Sequence, residues 1–319
     1  MLDFKNILVA TDTRLDVHAI VDEAALIAQQ GGVSIKLVDV VPEFPWIVRL
    51  SLNDHQAIRE ALINEKRERL VALAEPLRQR GISVDIEVLS GKTSVEIIRQ
   101  ASRGDHDLVM RVAKGKYSRR KGYFGTTATA LLRECPCPVW LVAPTTSPSY
   151  KHVMACVDTS NDEPADVALN NRVVDAATRV SRCHQSKISI VHAWSIYGEE
   201  FLFGRTRQED FQNLVTNVRN RSKTLLDGFL QTHARSADDK NVYMMKGHPA
   251  AVIPTFASKN KVDLIVMGTV ARSWLSGMLI GSTAERILSE INCSVLAIKP
   301  DSFVSPITSR EIANMEAVA

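Results

Sequence analysis

The sequence predicts an α/β protein made of two tandem copies of one domain, each a five-stranded, mostly parallel sheet with helices on both faces. Two observations carry this. The first is an internal repeat: "GKTSVEIIRQASRGDHDLVM" from Gly91 lies on "GHPAAVIPTFASKNKVDLIV" from Gly247 at one constant offset. Gly91 meets Gly247, Ile97 meets Ile253, Ala101 meets Ala257, and Asp107-Leu108 meets Asp263-Leu264. The same register continues without a gap, so that Gly125 meets Gly281, Thr127 meets Thr283, Cys137 meets Cys293 and Pro144 meets Pro300. The second is an alternation, inside each copy, of strand-length β-branched runs with stretches of helical periodicity, the pattern of right-handed βαβ crossovers and a parallel sheet. A chain of 319 residues is long enough for two domains with cores of their own.

The elements follow in order. "ILVAT" and "SIKLVDVV" are apolar strand-length runs. Between them Val17, Ile20, Val21, Ala24 and Ala28 fall at helical spacing, and Gly31-Gly32 stops that helix. A long amphipathic helix is expected from about Asp54 to Arg80, with Pro76 kinking or breaking it near its end. Strand "VDIEVL", helix "SVEIIRQAS", strand "DLVMRV", helix "TATALLREC" and strand "PVWLVA" complete the first copy. The second copy opens with "HVMACVDTS" from His152, which matches "NILVATDTR" from Asn6 at a slightly smaller offset. It therefore carries an insertion between its first and third strands. The expected boundaries are 1–146 and 149–302, with a tail over 303–319; "PTTSPSYK" is the natural linker.

Composition narrows the class. Hydrophobic residues at 45% and charged residues at 24% describe a soluble globular chain, and a net charge of +3 is too near balance to imply a nucleic-acid or membrane partner for the whole molecule. The start "MLDFKNILVATD" has no signal-peptide pattern and no apolar run approaches a membrane span, so a cytoplasmic location is expected. Cys135, Cys137, Cys156, Cys183 and Cys293 form no C-x-x-C pair. Cys135 and Cys137 in "ECPCP" read either as a metal pair or, the better reading, as reduced and partly buried thiols.

Ligands of open α/β sheets bind beyond the carboxyl ends of the strands. That places "VATD", the end of "SIVHA" and Gly268 near the chemistry, with Gly281-Ser282 at a helix start, where N–H groups and the helix dipole favour an anion. A nucleotide with its base near Asp158 and its phosphates at Gly281-Ser282 suits this layout. The spacing Gly268-x2-Ala271-x9-Gly281-Ser282 after "VDLIVM" resembles the ATP-binding signature Gly-x2-Gly-x9-Gly-Ser/Thr of the universal stress proteins, and the duplication resembles their tandem, E-type members. The resemblance implies that ATP or another adenine nucleotide, with or without Mg, meets Val157, Asp158, Val191 or His192, Met267, Gly268, Ala271 and Arg272, with Gly281, Ser282 and Thr283 on the phosphates. It also implies a degenerate first-copy site at Asp12, Gly115, Gly125 and Thr126. The sequence departs from the signature in both copies. Ala271 replaces the middle glycine of the second, and Val112 the leading glycine of the first.

Plainer roles stand beside these. Ser282 with Glu285 reads as a capping box, and Asp12 and Asp158 as helix caps or Asx-turns. Arg111, Lys114, Lys116, Arg119, Arg120 and Lys121, with Tyr117 and Tyr123 nearby, form a basic loop that invites a phosphate compound but reads better as solvated. His192 and Trp194, with Phe201, Leu202 and Phe203 of the insertion, read as core or interface packing. No Ser-His-Asp or Cys-His set, H-E-x-x-H, Walker loop, G-x-G-x-x-G or Ser-Gly-Gly-x-Asp-Ser loop is present, so a dedicated enzyme is not expected; weak ATP hydrolysis stays open. The leading expectation is a stress-response protein that binds an adenine nucleotide in its second domain and acts as a non-catalytic regulator or adaptor. The alternatives are a nucleotide-independent interaction module and a binder of another phosphate-bearing ligand. By resemblance "PVWLVA" and "SVLAIK" are pairing edges, which implies an intrachain pseudo-dimer and leaves a homodimer of the full chain open.

Overall fold

The computed structural model describes residues 4–29, 31–44, 54–115, 123–143, 149–269 and 280–308. The first repeat runs β1 (Asn6–Ala10), α1 (Ala19–Ala28), β2 (Ser34–Val41), α2 (His55–Gln79), β3 (Ser83–Ser90), α3 (Thr93–Arg103), β4 (Leu108–Val112), α4 (Thr126–Glu134) and β5 (Val139–Val142). The second runs β6 (His152–Val157), α5 (Pro164–His184), β7 (Lys187–Trp194), α6 (Glu199–Leu202), α7 (Gln208–Gln231), β8 (Val242–Lys246), α8 (Pro249–Lys259), β9 (Leu264–Gly268), α9 (Ser282–Glu290) and β10 (Ser294–Ile298). α2 continues through Pro76 to Gln79. A proline so close to a helix end interrupts only the last turn.

The chain folds as two compact units, one of residues 3–149 with 294–319 and the other centred on residues 150–293. In the first unit the strand order is β3-β2-β1-β4-β5-β10. The strands from β3 to β5 are parallel, and β10 joins β5 antiparallel, with Val295 opposite Leu141 and Ala297 opposite Val139. The closing strand of the second repeat thus completes the sheet of the first unit. In the other unit the order is β9-β6-β7-β8, all parallel, with Val153 between Ile188 and Leu264. Buried residues run without a break along β4, β5 and β10, as expected of strands covered on both faces.

Two of the repeated identities have clear structural work. The Asp107 carboxylate accepts from the backbone N–H groups of Lys5 and Asn6 at 2.6 and 3.1 Å, and Asp263 accepts from those of Lys151 and His152 at 2.8 and 2.9 Å. Each aspartate therefore pins the start of its repeat's first strand. Gly91 and Gly247 both adopt positive φ, +140° and +134°, where a Cβ would lie 2.9 Å from Glu96 and 2.8 Å from Val252. In the insertion, where core or interface packing is expected, the core alternative does not hold for the aromatics: Phe201 and Phe203 are 64% and 70% exposed. The cause is local, because α6 is a single turn with no buried residue. His192 and Trp194 are buried, in keeping with packing.

Burial depresses the basicity of His106, His152 and His192. At His152 burial is the main cause and outweighs the contact of Nδ1 with the Asn260 carbonyl at 3.0 Å, which works the other way, while Nε2 meets the Ser189 hydroxyl at 2.8 Å. A histidine whose folded pKa lies below its unfolded value of 6.5 stabilises the fold above pH 6.5 and progressively less as pH falls toward the folded value. The melting temperature is therefore expected to drop between pH 7.5 and 5.5, and less steeply in His152→Gln; an equal slope in variant and parent by differential scanning fluorimetry would contradict this.

Candidate functional site: a cavity at the strand ends of the second unit

The second unit's chain steps from β6 to β7 to β8 on one side and then places β9 on the other side of β6. At such a reversal the segments leaving the two central strands diverge and leave a crevice at their carboxyl ends. A cavity of about 340 Å³ lies there, lined by Val157 at the end of β6, Asp158 just after it, and Met267 and Gly268 of β9. Its size falls at the lower end of what small-ligand sites occupy, roughly 300 to 1,000 Å³.

Each wall has a local cause. Asp158 is set by Asn170 of α5, whose side-chain oxygen accepts from the Asp158 N–H at 3.0 Å while its amide donates to the Asp158 carbonyl at 2.8 Å. The Asp158 carboxylate in turn accepts from the N–H of Ser160 at 3.1 Å, which makes the Asx-turn. Gly268 allows close approach of β9 to α5: a Cβ there would lie 2.8 Å from the Leu169 side chain. Ile253 and Ile287 add apolar wall, and Asp166 a second carboxylate.

The far wall is the first turn of α9, through Gly281, Ser282 and Thr283. Here the capping-box expectation is corrected. The helix begins at Ser282, so Gly281 takes the N-cap position, at φ −67° and ψ 140°, and no side chain caps it. Glu285, one residue beyond the capping-box position, instead donates its N–H to the Gly281 carbonyl at 2.9 Å. The first turn of α9 thus lines the cavity with no side-chain cap among the described residues, and with the positive end of the helix dipole behind it.

Among the residues that the sequence nominates, Val157, Asp158, Met267, Gly268, Gly281, Ser282 and Thr283 come together on this cavity. Val191 and His192 do not line it. Both are fully buried within β7, the His192 ring directed to the Val157 carbonyl at 3.3 Å, and the next residue, Ala193, provides the wall. Strand periodicity marks the face but not how far along the strand the cavity begins. Asn170 and Leu169 went unrecognised because their role is contact with the loops, and nothing in helix periodicity signals it. Ala271 and Arg272 lie outside the described residues.

The corresponding region of the first unit is filled differently. Arg111 stands where the repeat alignment puts Met267; it is buried, and its guanidinium reaches toward the Ala10 and Thr11 carbonyls at 3.3 and 3.4 Å. Asp12 is gripped by the Arg14 fork at 2.7 and 2.8 Å, and Asp39 accepts from Lys66 at 2.6 Å and from the Thr13 N–H at 2.9 Å. Burial pushes the Asp12 carboxyl upward, but Arg14, helped by Arg111, outweighs it and leaves Asp12 below its ordinary value. Gly115 passes close enough that a Cβ would sit 3.0 Å from Asp12 Oδ2. Gly125 caps α4 as Gly281 caps α9, with Thr126 opening the helix. Lys116, Tyr117, Arg119, Arg120 and Lys121 lie outside the described residues. Tyr123 packs edge-on against Phe124 at 5.2 Å.

The sequence model of the universal stress protein family matches residues 3–143 and again 149–299. The chain belongs to the universal stress protein family. It is 27% identical over 311 residues to universal stress protein E of Salmonella typhi, a match covering 96% of this chain and 98% of the relative. To universal stress protein E of Photorhabdus laumondii it is 28% identical over 312 residues, with the same coverage. A solved structure of a putative universal stress protein from Pseudomonas aeruginosa UCBPP-PA14 is similar in fold, with a TM-score of 0.71 and 22% identity over 98% of both chains. These relatives span both repeats, so the tandem arrangement belongs to the family's E-type branch as well as to this chain.

Asn170 joins α5 to the β6 loop through two hydrogen bonds at a buried position. Asn170→Leu strands the Asp158 N–H and carbonyl, at a cost of about 1–3 kcal/mol. Urea denaturation is expected to show that loss; a variant as stable as the parent would mean that Asn170 does not hold the loop.

Proposed function

We propose that the second unit binds one adenine nucleotide, ATP in the leading case, in the cavity at the ends of β6 and β9, and that the chain acts as a non-catalytic regulator or adaptor. Membership of the universal stress protein family supports a role in the response to stress. The observation that carries the ligand reading is the start of α9, with a glycine at its N-cap and no side-chain cap among the described residues, lining a partly apolar cavity at the strand-order reversal. The residues present fit such a ligand. Ile253, Ile287 and Met267 offer apolar contact to a base, Asp158 offers a carboxylate to hydroxyl or amino donors, and the N–H groups of Ser282 and Thr283 suit phosphate oxygens.

Magnesium would enter with the nucleotide. Asp158 and Asp166 both line the cavity, but no group of three or more metal-ligating side chains occurs among the described residues. Phosphate oxygens and water would therefore complete its coordination, as is usual for this ion. The first unit's ion-paired Asp12 and buried Arg111 favour a single occupied site per chain.

The nucleotide-independent reading draws on the exposed Tyr197, Phe201 and Phe203, a surface suited to a protein partner. Native mass spectrometry with ATP and magnesium distinguishes the two. One nucleotide per chain is expected, lost in Gly281→Phe and kept in Gly125→Phe. Both glycines have φ near −70° (−67° and −73°), a conformation open to any residue, so the variants are expected to fold. No bound nucleotide would favour the interaction module, and two would contradict the filled first site.

A further inference from the structure

The antiparallel register of β5 and β10, continued beyond Ala297 and Val139, brings Lys299 level with Cys137. Lys299 is 1% exposed, and its ammonium donates to the Leu132 carbonyl and, at 3.5 Å, to that of Arg133, at the carboxyl end of α4. The Phe303 ring lies 4.3 Å from the same nitrogen. Just after that helix end stand Cys135, fully buried, and Cys137, half-buried, with sulfurs 3.7 Å apart in hydrogen-bond contact. A helix C-terminus by itself favours a cation. Here the cation faces two thiols as well.

Two of the three members, Cys135 and Lys299, belong to this place and not to the repeated fold. In the repeat alignment Cys135 corresponds to Ile291 and Lys299 to Ala143, so neither is needed to build the domain. Burial raises the Cys135 thiol, but the hydrogen bonds from the Cys137 side chain and backbone and the charge of Lys299 outweigh it and bring the thiol below its ordinary value. Cys137, as the donor to Cys135 and as a buried thiol itself, is raised. Burial lowers Lys299 to about 8, with both cysteines acting against that. Two thiols in hydrogen-bond contact beside a buried amine are the arrangement of a reactive thiol pair.

We propose that Cys135 and Cys137 form a redox-active pair, set by Lys299, that hydrogen peroxide oxidises to an intramolecular disulfide. Cys137 is the sulfur that the oxidant reaches. The Cys137 thiol gives up its proton as its sulfur attacks one peroxide oxygen, the O–O bond breaks, and the departing hydroxide takes that proton to become water. Cys137 is then a sulfenic acid. The Cys135 sulfur attacks it, the S–S bond forms, the S–O bond breaks, and hydroxide leaves with the proton of Cys135 as a second water. Two thiols lose two electrons in all, and one peroxide becomes two waters. Closing the sulfurs from 3.7 Å to a bond of about 2.0 Å requires rotation about the side-chain torsions of residues separated by only Pro136.

Trypsin cutting after Arg133 and Lys151 releases both cysteines on one peptide that contains no other. The full chain is treated with hydrogen peroxide at neutral pH, quenched by alkylation and mapped by mass spectrometry. The expected result is that this peptide loses two hydrogen atoms before Cys156, Cys183 or Cys293 is modified, and regains them with dithiothreitol. In Lys299→Met, an apolar side chain of similar length, the oxidation slows, because the positive charge that favours the Cys135 thiolate is lost. Early oxidation at Cys183, a sulfinic acid on Cys137 without the disulfide, or an unchanged rate in Lys299→Met would overturn the proposal. Should that variant fail to fold, the pH profile of alkylation in the parent protein decides. A rate already at its plateau below the ordinary thiol range is expected, and one still rising through that range would overturn it.

Discussion

The reversal of strand order around β6 is the constraint on which the candidate site depends. With β7 on one side and β9 on the other, the segments leaving β6 and β9 separate, and nothing in the sheet fills the space between their carboxyl ends. Every local device then shapes that space. Asn170 holds the β6 loop from α5, Gly268 lets β9 lie close to Leu169, and Gly281 starts α9 without a side-chain cap. The opposite end of the same strands is fixed by Asp263, which holds Lys151 and His152. One end of the parallel strands is tied down by hydrogen bonds, and the other opens on the cavity.

The first repeat meets the same constraint with other side chains. Its order also reverses around β1, between β2 and β4, so the same crevice is called for. Charged groups occupy that region: Arg111 in place of Met267, the Asp12–Arg14 fork, and Asp39 with Lys66. Breaking such pairs by removing one partner is costly, because a buried charge is left behind. Duplication supplied two equivalent places, and divergence of side chains, with the backbone largely retained, separates them. Family membership fits this view, since the shared feature is the framework and function resides in what each site holds.

Much of this was legible in the sequence. The repeat fixed the two-fold composition of the chain, and β-branched runs marked the strands to within a residue or two. The Gly281 helix start was also visible, because Gly281-Ser282-Thr283 directly precedes a run of helical spacing. Other features were not. The capping box was read from residue types, and only the backbone shows that Gly281 and not Ser282 holds the cap position. The family resemblance implies Val191 or His192 at the cavity, yet the His192 ring turns to the Val157 carbonyl inside the core. Asn170 gave no signal, since a polar residue on a helix face is ordinarily solvated. Lys299 was hidden for a different reason: its neighbours are set by the antiparallel pairing of β10 with β5, residues far apart in the chain.

The central claim is that the two repeats share a framework and that the second provides the nucleotide cavity. Photo-crosslinking with 8-azido-ATP, followed by peptide mapping, tests it most directly, because the label reports position and not only binding. The account predicts label on the peptides that contain Val157–Asp158 or Met267–Gly268, and its loss when excess ATP competes. Competed label on the peptides around Asp12 or Gly125 would contradict it.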